Sequence, residues 1–168
     1  MRPPAISLDQ LAPLPEVYRA VIPPAYEDRN GHMNVRWYLA LYDKAGDAMY
    51  PMLGLTEDYL TTSGMGGFDL EHHIWYAAEV HVGDAVVIRL RFLARSAKLF
   101  HYQMYMANET RGVLASIFEC VHAHADLSVR RTAPFPPSVA ATIDAYIAAH
   151  RALNWPAPVS GSMGLQPA

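Results

Sequence analysis

The sequence predicts an α+β fold in which one long central helix is wrapped by a curved antiparallel sheet. Three observations carry that reading. Apolar residues recur three and four apart at Val35, Tyr38, Leu39, Tyr42, Ala45 and Met49, the stripe of an amphipathic helix. Downstream, Phe68–Val82, Ala85–Ala94 and Phe100–Met106 alternate in side-chain character with period two, as strands do, and a long apolar run follows at Val113–Asp126. Turn residues separate these runs at Gly83-Asp84 and at Asn108 to Gly112.

The elements follow in order. Residues Met1 to Pro15 carry four prolines and no periodicity, and read as a lead-in arm. Val17–Ile22 is a short strand candidate closed by Pro23-Pro24. Asn34 is placed to cap the central helix, because its side-chain oxygen can accept a free N–H of the first turn. Pro51 disfavours α-conformation at Tyr50 and predicts that the helix stops there. Gly46 costs about 1 kcal/mol relative to Ala inside a helix, which predicts a close-packed neighbour. Leu53 to Gly67 is a turn-rich connector. In the strands, Leu70, Ile74, Tyr76, Ala78 and Val80 share one face, and Glu71, His73, Trp75, Glu79 and His81 the other. Val86, Ile88, Leu90 and Phe92 point inward, with Arg89 and Arg91 outward. Arg95 to Lys98 is a polar hairpin connection. Three prolines between Thr132 and Pro137 end the sheet, Ser138–Leu153 reads as a helix, and 154–168 as a loose tail. The whole is expected as one domain over 1–168, with its core at about 17–150.

Composition narrows the function. A net charge of −3 gives no electrostatic argument for nucleic acid. The single cysteine, Cys120, excludes an intrachain disulfide and a multi-Cys zinc site, and its apolar setting predicts a buried thiol. No run approaches the roughly 20 apolar residues of a membrane helix. MRPPAISLDQ lacks the apolar core of a secretion signal, so the expected compartment is the cytoplasm. There is no G-x-S-x-G, no G-x-x-x-x-G-K and no Rossmann glycine fingerprint.

The chemistry is expected in the loop ahead of the central helix, Asp28-Arg29-Asn30-Gly31-His32-Met33-Asn34. Gly31 permits a turn with positive φ. The free N–H groups of the first helical turn face back toward this loop and form a ready oxyanion site. A carboxylate facing backbone donors suits acyl transfer to water. Asp28-x-x-Gly31-His32-Met33-Asn34 before an amphipathic helix resembles the signature of hotdog-fold acyl-CoA thioesterases, and more narrowly their 4-hydroxybenzoyl-CoA thioesterase-like branch. The resemblance runs from about Val17 to about Ala145 and includes Glu79-Val80-His81-Val82-Gly83-Asp84 and His124-Ala125-Asp126-Leu127. Within that branch the sequence is most similar to thioesterases linked to carnitine or betaine catabolism.

The resemblance implies a hotdog fold, a homodimer or tetramer, an acyl-CoA substrate, and no metal or organic cofactor. It implies that Asp28 acts as nucleophile or general base and that the Val35 backbone N–H binds the thioester oxygen. The two roles of Asp28 stay open, and an Asx-turn is its structural alternative. His32 and Asn34 flank the turn as further catalytic candidates; their structural alternatives are loop packing and helix capping. Gly31 and Tyr38 are substrate-binding candidates, as are Glu71 and His73, which share a strand face that a solvated surface would also explain. Arg95 and Lys98, with Arg130 and Arg131, are candidates for the phosphates of coenzyme A. His122 and His124 share a face, but without a third ligand hydrogen-bonded rings are the better reading than a metal site. Trp37, Tyr38, Tyr42, Trp75 and Tyr76 suggest an aromatic pocket for a small aromatic or cationic acyl group. The rival functions are a hotdog hydratase or dehydratase, which would leave the thioester intact, and a non-catalytic acyl-CoA-binding module.

Overall fold

A computed structural model describes residues 5–165, so the first four residues of the arm and the last three of the tail lie outside it. The elements are α1 (Leu8–Leu11), β1 (Glu16–Val21), α2 (Val35–Met52), α3 (Glu57–Ser63), β2 (Met65–Tyr76), β3 (Ala85–Arg95), β4 (Leu99–Asn108), β5 (Val113–Asp126), β6 (Arg131–Thr132) and α4 (Pro137–Arg151). The sheet order is β1-β3-β4-β5-β2, with β6 paired to β5 and β2 at one end. The residues group into two compact units, Met1–Ala48 with Ile74–Leu90 and Met104–Phe118, and Met49–His73 with Arg91–Gln103 and Glu119–Ala168.

In the first unit, α2 buries Tyr38, Leu41, Tyr42 and Ala45. The Tyr42 ring stacks on Phe118 at 5.0 Å, and its hydroxyl meets Ser116 Oγ at 2.6 Å. Burial pushes that hydroxyl's pKa well above the usual range, so the pair is a neutral hydrogen bond inside the core. Gly46 has no close neighbour, contrary to expectation; a Cβ there would meet open space. The arm is not featureless either. Ser7 and Gln10 form a capping box that starts α1. Leu11 and Leu14 are buried, and the Arg89 guanidinium donates to the Ala12 and Leu14 carbonyls.

The expected strand over Phe68–Val82 ends early, at Tyr76. The Ala77 and Ala78 N–H groups both reach the Ala115 carbonyl, at 2.8 and 3.1 Å, which breaks the ladder. The chain then leaves the sheet, and the Val80 carbonyl accepts the Met33 N–H at 2.7 Å. Asp84 closes the following turn. Its Oδ2 collects the His81 N–H, the Asn108 amide and the Arg111 guanidinium. Burial opposes ionisation of Asp84, but these donors together hold its pKa below the usual value.

In the second unit, α2 continues through Pro51 to Met52 rather than stopping at Tyr50. The Tyr50 carbonyl accepts both Leu53 and Leu55 N–H groups, and burial of Met49 and Leu53 anchors this last turn. The expected alternation fails in β4, where His101 and Gln103 are as buried as Phe100 and Tyr102. Arg91 is buried, not outward, because α4 and the tail cover that face of β3. The tail is correspondingly not loose over its first residues. Trp155 is buried, Gln103 donates to the Pro158 carbonyl, and the Ser160 N–H donates to Glu119 at 2.7 Å. Cys120 is a buried thiol, as expected, and burial raises its pKa.

Candidate active site

Asp28 sits in a loop that local hydrogen bonds close completely. Its N–H donates to the His32 carbonyl and its carbonyl accepts the Gly31 N–H, both at 3.0 Å. Gly31 adopts φ +79°, the left-handed conformation this closure needs. The Asn34 N–H reaches the Tyr26 carbonyl at 2.9 Å, and the His81 ring Nδ1 meets the Gly31 carbonyl at 2.9 Å. The loop is therefore held from both sides.

The Asp28 side chain has two distinct oxygens. Oδ1 accepts the Asn30 N–H at 2.8 Å, which is the Asx-turn. Oδ2 faces the Asn34 amide nitrogen at 3.4 Å, a long contact that leaves most of its acceptor capacity available. His32 lies 3.9 Å from Oδ1 through Nδ1, with the same nitrogen 3.4 Å from the Met33 carbonyl.

Asn34 joins the loop to the helix. Its Oδ1 accepts the Arg36 N–H at 3.2 Å, and its carbonyl accepts the Trp37 N–H at 3.0 Å. The Val35 N–H, at the start of the helix, has no acceptor among the described residues. The Tyr26 ring stacks on Trp37 at 3.9 Å and Arg36 lies over the same indole at 4.9 Å, fixing the start of α2.

Asp28, His32, Asn34 and Val35 line one cleft of about 410 Å³ together with Met33, Tyr38, Tyr76, Ala77, Ala78 and Glu79. The early end of β2 makes the opposite wall, since it is the departing chain that brings Ala77 to Glu79 to the cleft. Tyr38 and Tyr76 meet edge to face at 5.0 Å. Burial lifts the Tyr38 hydroxyl to about 12, so it is a neutral phenol at physiological pH. The charged lining residues are two carboxylates, Asp28 and Glu79. Glu79 was not expected in this role, because its strand-face partner in the sequence pattern is His81. Its departure from the sheet depends on a hydrogen-bonding irregularity that period two does not reveal.

Glu71, His73, Arg95 and Lys98 belong to the second unit and are not among the cleft's lining residues. Glu71 is exposed on β2. Arg95 is engaged by Asp144, at 2.7 Å through Nε, and Lys98 is exposed. Trp75 and Tyr42 likewise lie outside the lining, although Tyr76 is within it. His122 and His124 are hydrogen-bonded rings. His122 meets Asp69 at 2.6 Å and Tyr50 at 3.2 Å, and His124 meets Tyr59 at 2.9 Å and the Ala133 carbonyl at 3.0 Å. Among the described residues no group of three or more His, Cys, Asp or Glu side chains is placed to hold a metal ion. No described helix is long and apolar enough to cross a membrane.

Known proteins resemble this chain in sequence and in fold. A Betainyl-CoA thioesterase of Pseudomonas aeruginosa is 32% identical over 89% of this chain and 94% of its own length. An L-carnitine dehydrogenase/betainyl-CoA thioesterase of Rhizobium meliloti is 27% identical over 91% of this chain but only 30% of its own length. Among solved structures, a Staphylococcus aureus protein in complex with CoA superposes with a TM-score of 0.80 at 21% identity, over 91% of this chain and 97% of that one. The family model described as the thioesterase-like superfamily matches residues 22–143. The chain thus has the hotdog α+β fold and belongs to the thioesterase-like superfamily, as a thioester hydrolase.

Proposed function

We propose that this thioesterase hydrolyses a small cationic acyl-CoA of the betainyl class. The observation that carries the reading is the cleft itself. The α2 side presents the Asp28 carboxylate, the unengaged Val35 N–H and the Tyr38 ring, and the side where β2 ends presents the Tyr76 ring and Glu79. The likeness to the Pseudomonas aeruginosa thioesterase supports the acyl class.

In this account the thioester carbonyl accepts the Val35 N–H at the positive end of α2. Asp28 Oδ2 then adds to the carbonyl carbon, coenzyme A leaves as the thiolate, and water hydrolyses the resulting mixed anhydride. Alternatively Oδ2 takes a proton from water as the water adds. Both routes consume one water and give a carboxylic acid and free coenzyme A, and neither requires a metal or an organic cofactor. Asn34 positions Asp28 and caps the helix with the same side chain. The acyl cation is held by the faces of Tyr38 and Tyr76 and by the negative charge of Glu79.

The substrate test compares betainyl-CoA with 3,3-dimethylbutyryl-CoA, its neutral isostere. The two differ by one charge and hardly at all in shape. Betainyl-CoA is expected to have the higher kcat/KM by about tenfold or more, the effect of a partly desolvated cation–π and carboxylate contact. Glu79→Gln should narrow that preference several-fold through KM. Equal kcat/KM for the two thioesters contradicts the cationic class while leaving thioester hydrolysis intact.

The assembly is part of the same proposal. β2 lies at the end of the sheet order and exposes Phe68 and Leu70, at 64% and 49%. An unpaired apolar edge of this kind is covered by a second copy of the chain, which gives a homodimer.

A further inference from the structure

The loop that carries Asp28 is gripped by a side chain 50 residues away that the chemistry above does not use. The His81 ring meets the Gly31 carbonyl at 2.9 Å through Nδ1. A carbonyl oxygen only accepts, so Nδ1 carries the ring proton that makes this bond. Nε2 lies 3.4 Å from Glu79 Oε2. One ring therefore touches both the Asp28 loop and the second carboxylate of the cleft.

The backbone of His81 is itself fixed. Its N–H donates to Asp84 Oδ2 at 2.9 Å, and its carbonyl accepts the Asp84 N–H at 3.1 Å. Asp84 is buried, and is held in turn by Asn108 at 2.7 Å and Arg111 at 2.8 Å. The preceding residue, Val80, takes the Met33 N–H at 2.7 Å. Two consecutive residues thus grip the loop, one through its main chain and one through its side chain. On the loop side, the Gly31 N–H donates to the Asp28 carbonyl at 3.0 Å. A Cβ on Gly31 would meet no atom within 4 Å, so no packing on that side restrains the turn. A continuous set of hydrogen bonds therefore runs from the end of β4 through Asp84, His81 and Gly31 to Asp28.

We propose that His81 is a positioning residue for thioester hydrolysis, whose Nδ1–H, through the Gly31 carbonyl, holds the Asp28 carboxylate in register with the Val35 N–H. This role rests on Asp28 being the reacting carboxylate and is independent of the acyl class. Displacing a reacting group by about 1 Å is enough to cost about 10² in rate. The Glu79 contact restrains the ring less, because it is longer and Glu79 is exposed.

Two conservative variants separate the ring nitrogens. In His81→Asn the side-chain amide stands where Nδ1 stood and still donates to Gly31. In His81→Gln the amide reaches the position of Nε2 and faces Glu79 instead. Thiol release is measured on the thioester that wild type hydrolyses fastest, with urea unfolding to give the folded fraction of each protein. His81→Ala is expected to lower kcat about tenfold or more while KM changes less than about threefold, since a positioning contact acts on the chemical step. His81→Asn should recover kcat to within about threefold of wild type, and His81→Gln should stay with His81→Ala. Packing alone would make Gln, the larger side chain, the better replacement. Where His81→Ala does not fold, the comparison of His81→Asn with His81→Gln decides. A wild-type kcat in His81→Ala, or a kcat in His81→Gln equal to or above that of His81→Asn, overturns the proposed role. Asp28→Asn in the same assay tells two failures apart. An inert Asp28→Asn beside a fully active His81→Ala sinks the role of His81 alone, whereas Asp28→Asn at the wild-type rate overturns the role of Asp28 and that of His81 with it.

Discussion

Asn34 has two tasks in one side chain. Its Oδ1 caps α2 and its Nδ2 faces Asp28. Asn34→Ala is therefore expected to cost about 1 kcal/mol of stability as a lost cap and to lower kcat as well, since Asp28 loses its restraint. Urea unfolding and steady-state kinetics on the same preparation read the two effects separately. Asn34→Asp should keep the cap but set a second carboxylate beside the first, so it should restore stability without restoring kcat. His150 makes a different residue-level prediction. Burial, and then the nearby Arg91 charge, push its pKa down to about 4. The unfolded chain binds this proton near pH 6.5, so the unfolded state gains protons first as pH falls. The contribution is fully present above about pH 6.5 and is lost on descending toward pH 4. Stability should fall by about 2 kcal/mol between pH 7 and pH 5 from this group, and His150→Gln should reduce that slope. Urea titrations in phosphate-free buffer measure it. At this scale the sequence was most informative where side-chain chemistry is local. Asp28, Gly31, Asn34 and Val35 are neighbours in the chain, and their spacing alone predicts a capped helix behind a tight turn. Glu79 and Arg91 were not legible, because what surrounds each of them is set by distant chain.

The elements show why. Where a periodic pattern meets one uniform environment, sequence and structure agree: α2 begins at Val35, and β3 and β5 follow their runs. The pattern misleads where backbone hydrogen bonds depart from the ladder. β2 still reads as alternating beyond Tyr76, yet two N–H groups converge on the Ala115 carbonyl and the chain turns away. Local propensity misleads when tertiary burial outweighs it. Pro51 does not end α2, because Met49 and Leu53 anchor the final turn in the core. Gly46 fails in the opposite sense, as a helix glycine with open space around it. Gly46→Ala should therefore stabilise the protein by about 1 kcal/mol, the helix-propensity difference with no clash to offset it. Chemical denaturation checks this, and a destabilisation would reveal a neighbour pressed against that face of α2.

At the scale of the whole molecule, the fold class was legible because one amphipathic helix plus a meander of strands has few ways to bury its apolar surface. The tail was not, since its contacts with Arg91, Gln103 and Glu119 come from residues some 40 to 60 positions away. The proposed assembly predicts that the chain sediments as a dimer and that Phe68→Lys with Leu70→Lys shifts it toward monomer. A wild-type monomer at micromolar concentration contradicts the β2 interface. Hydrolysis through Asp28 is read by thiol release. Wild type and Asp28→Asn would be assayed side by side on betainyl-CoA and on short, long and aromatic acyl-CoA thioesters. Wild type should release thiol, and kcat should fall by about 10²–10⁴ in the variant with folding unchanged. An Asp28→Asn protein that hydrolyses the preferred thioester at the wild-type rate would contradict it.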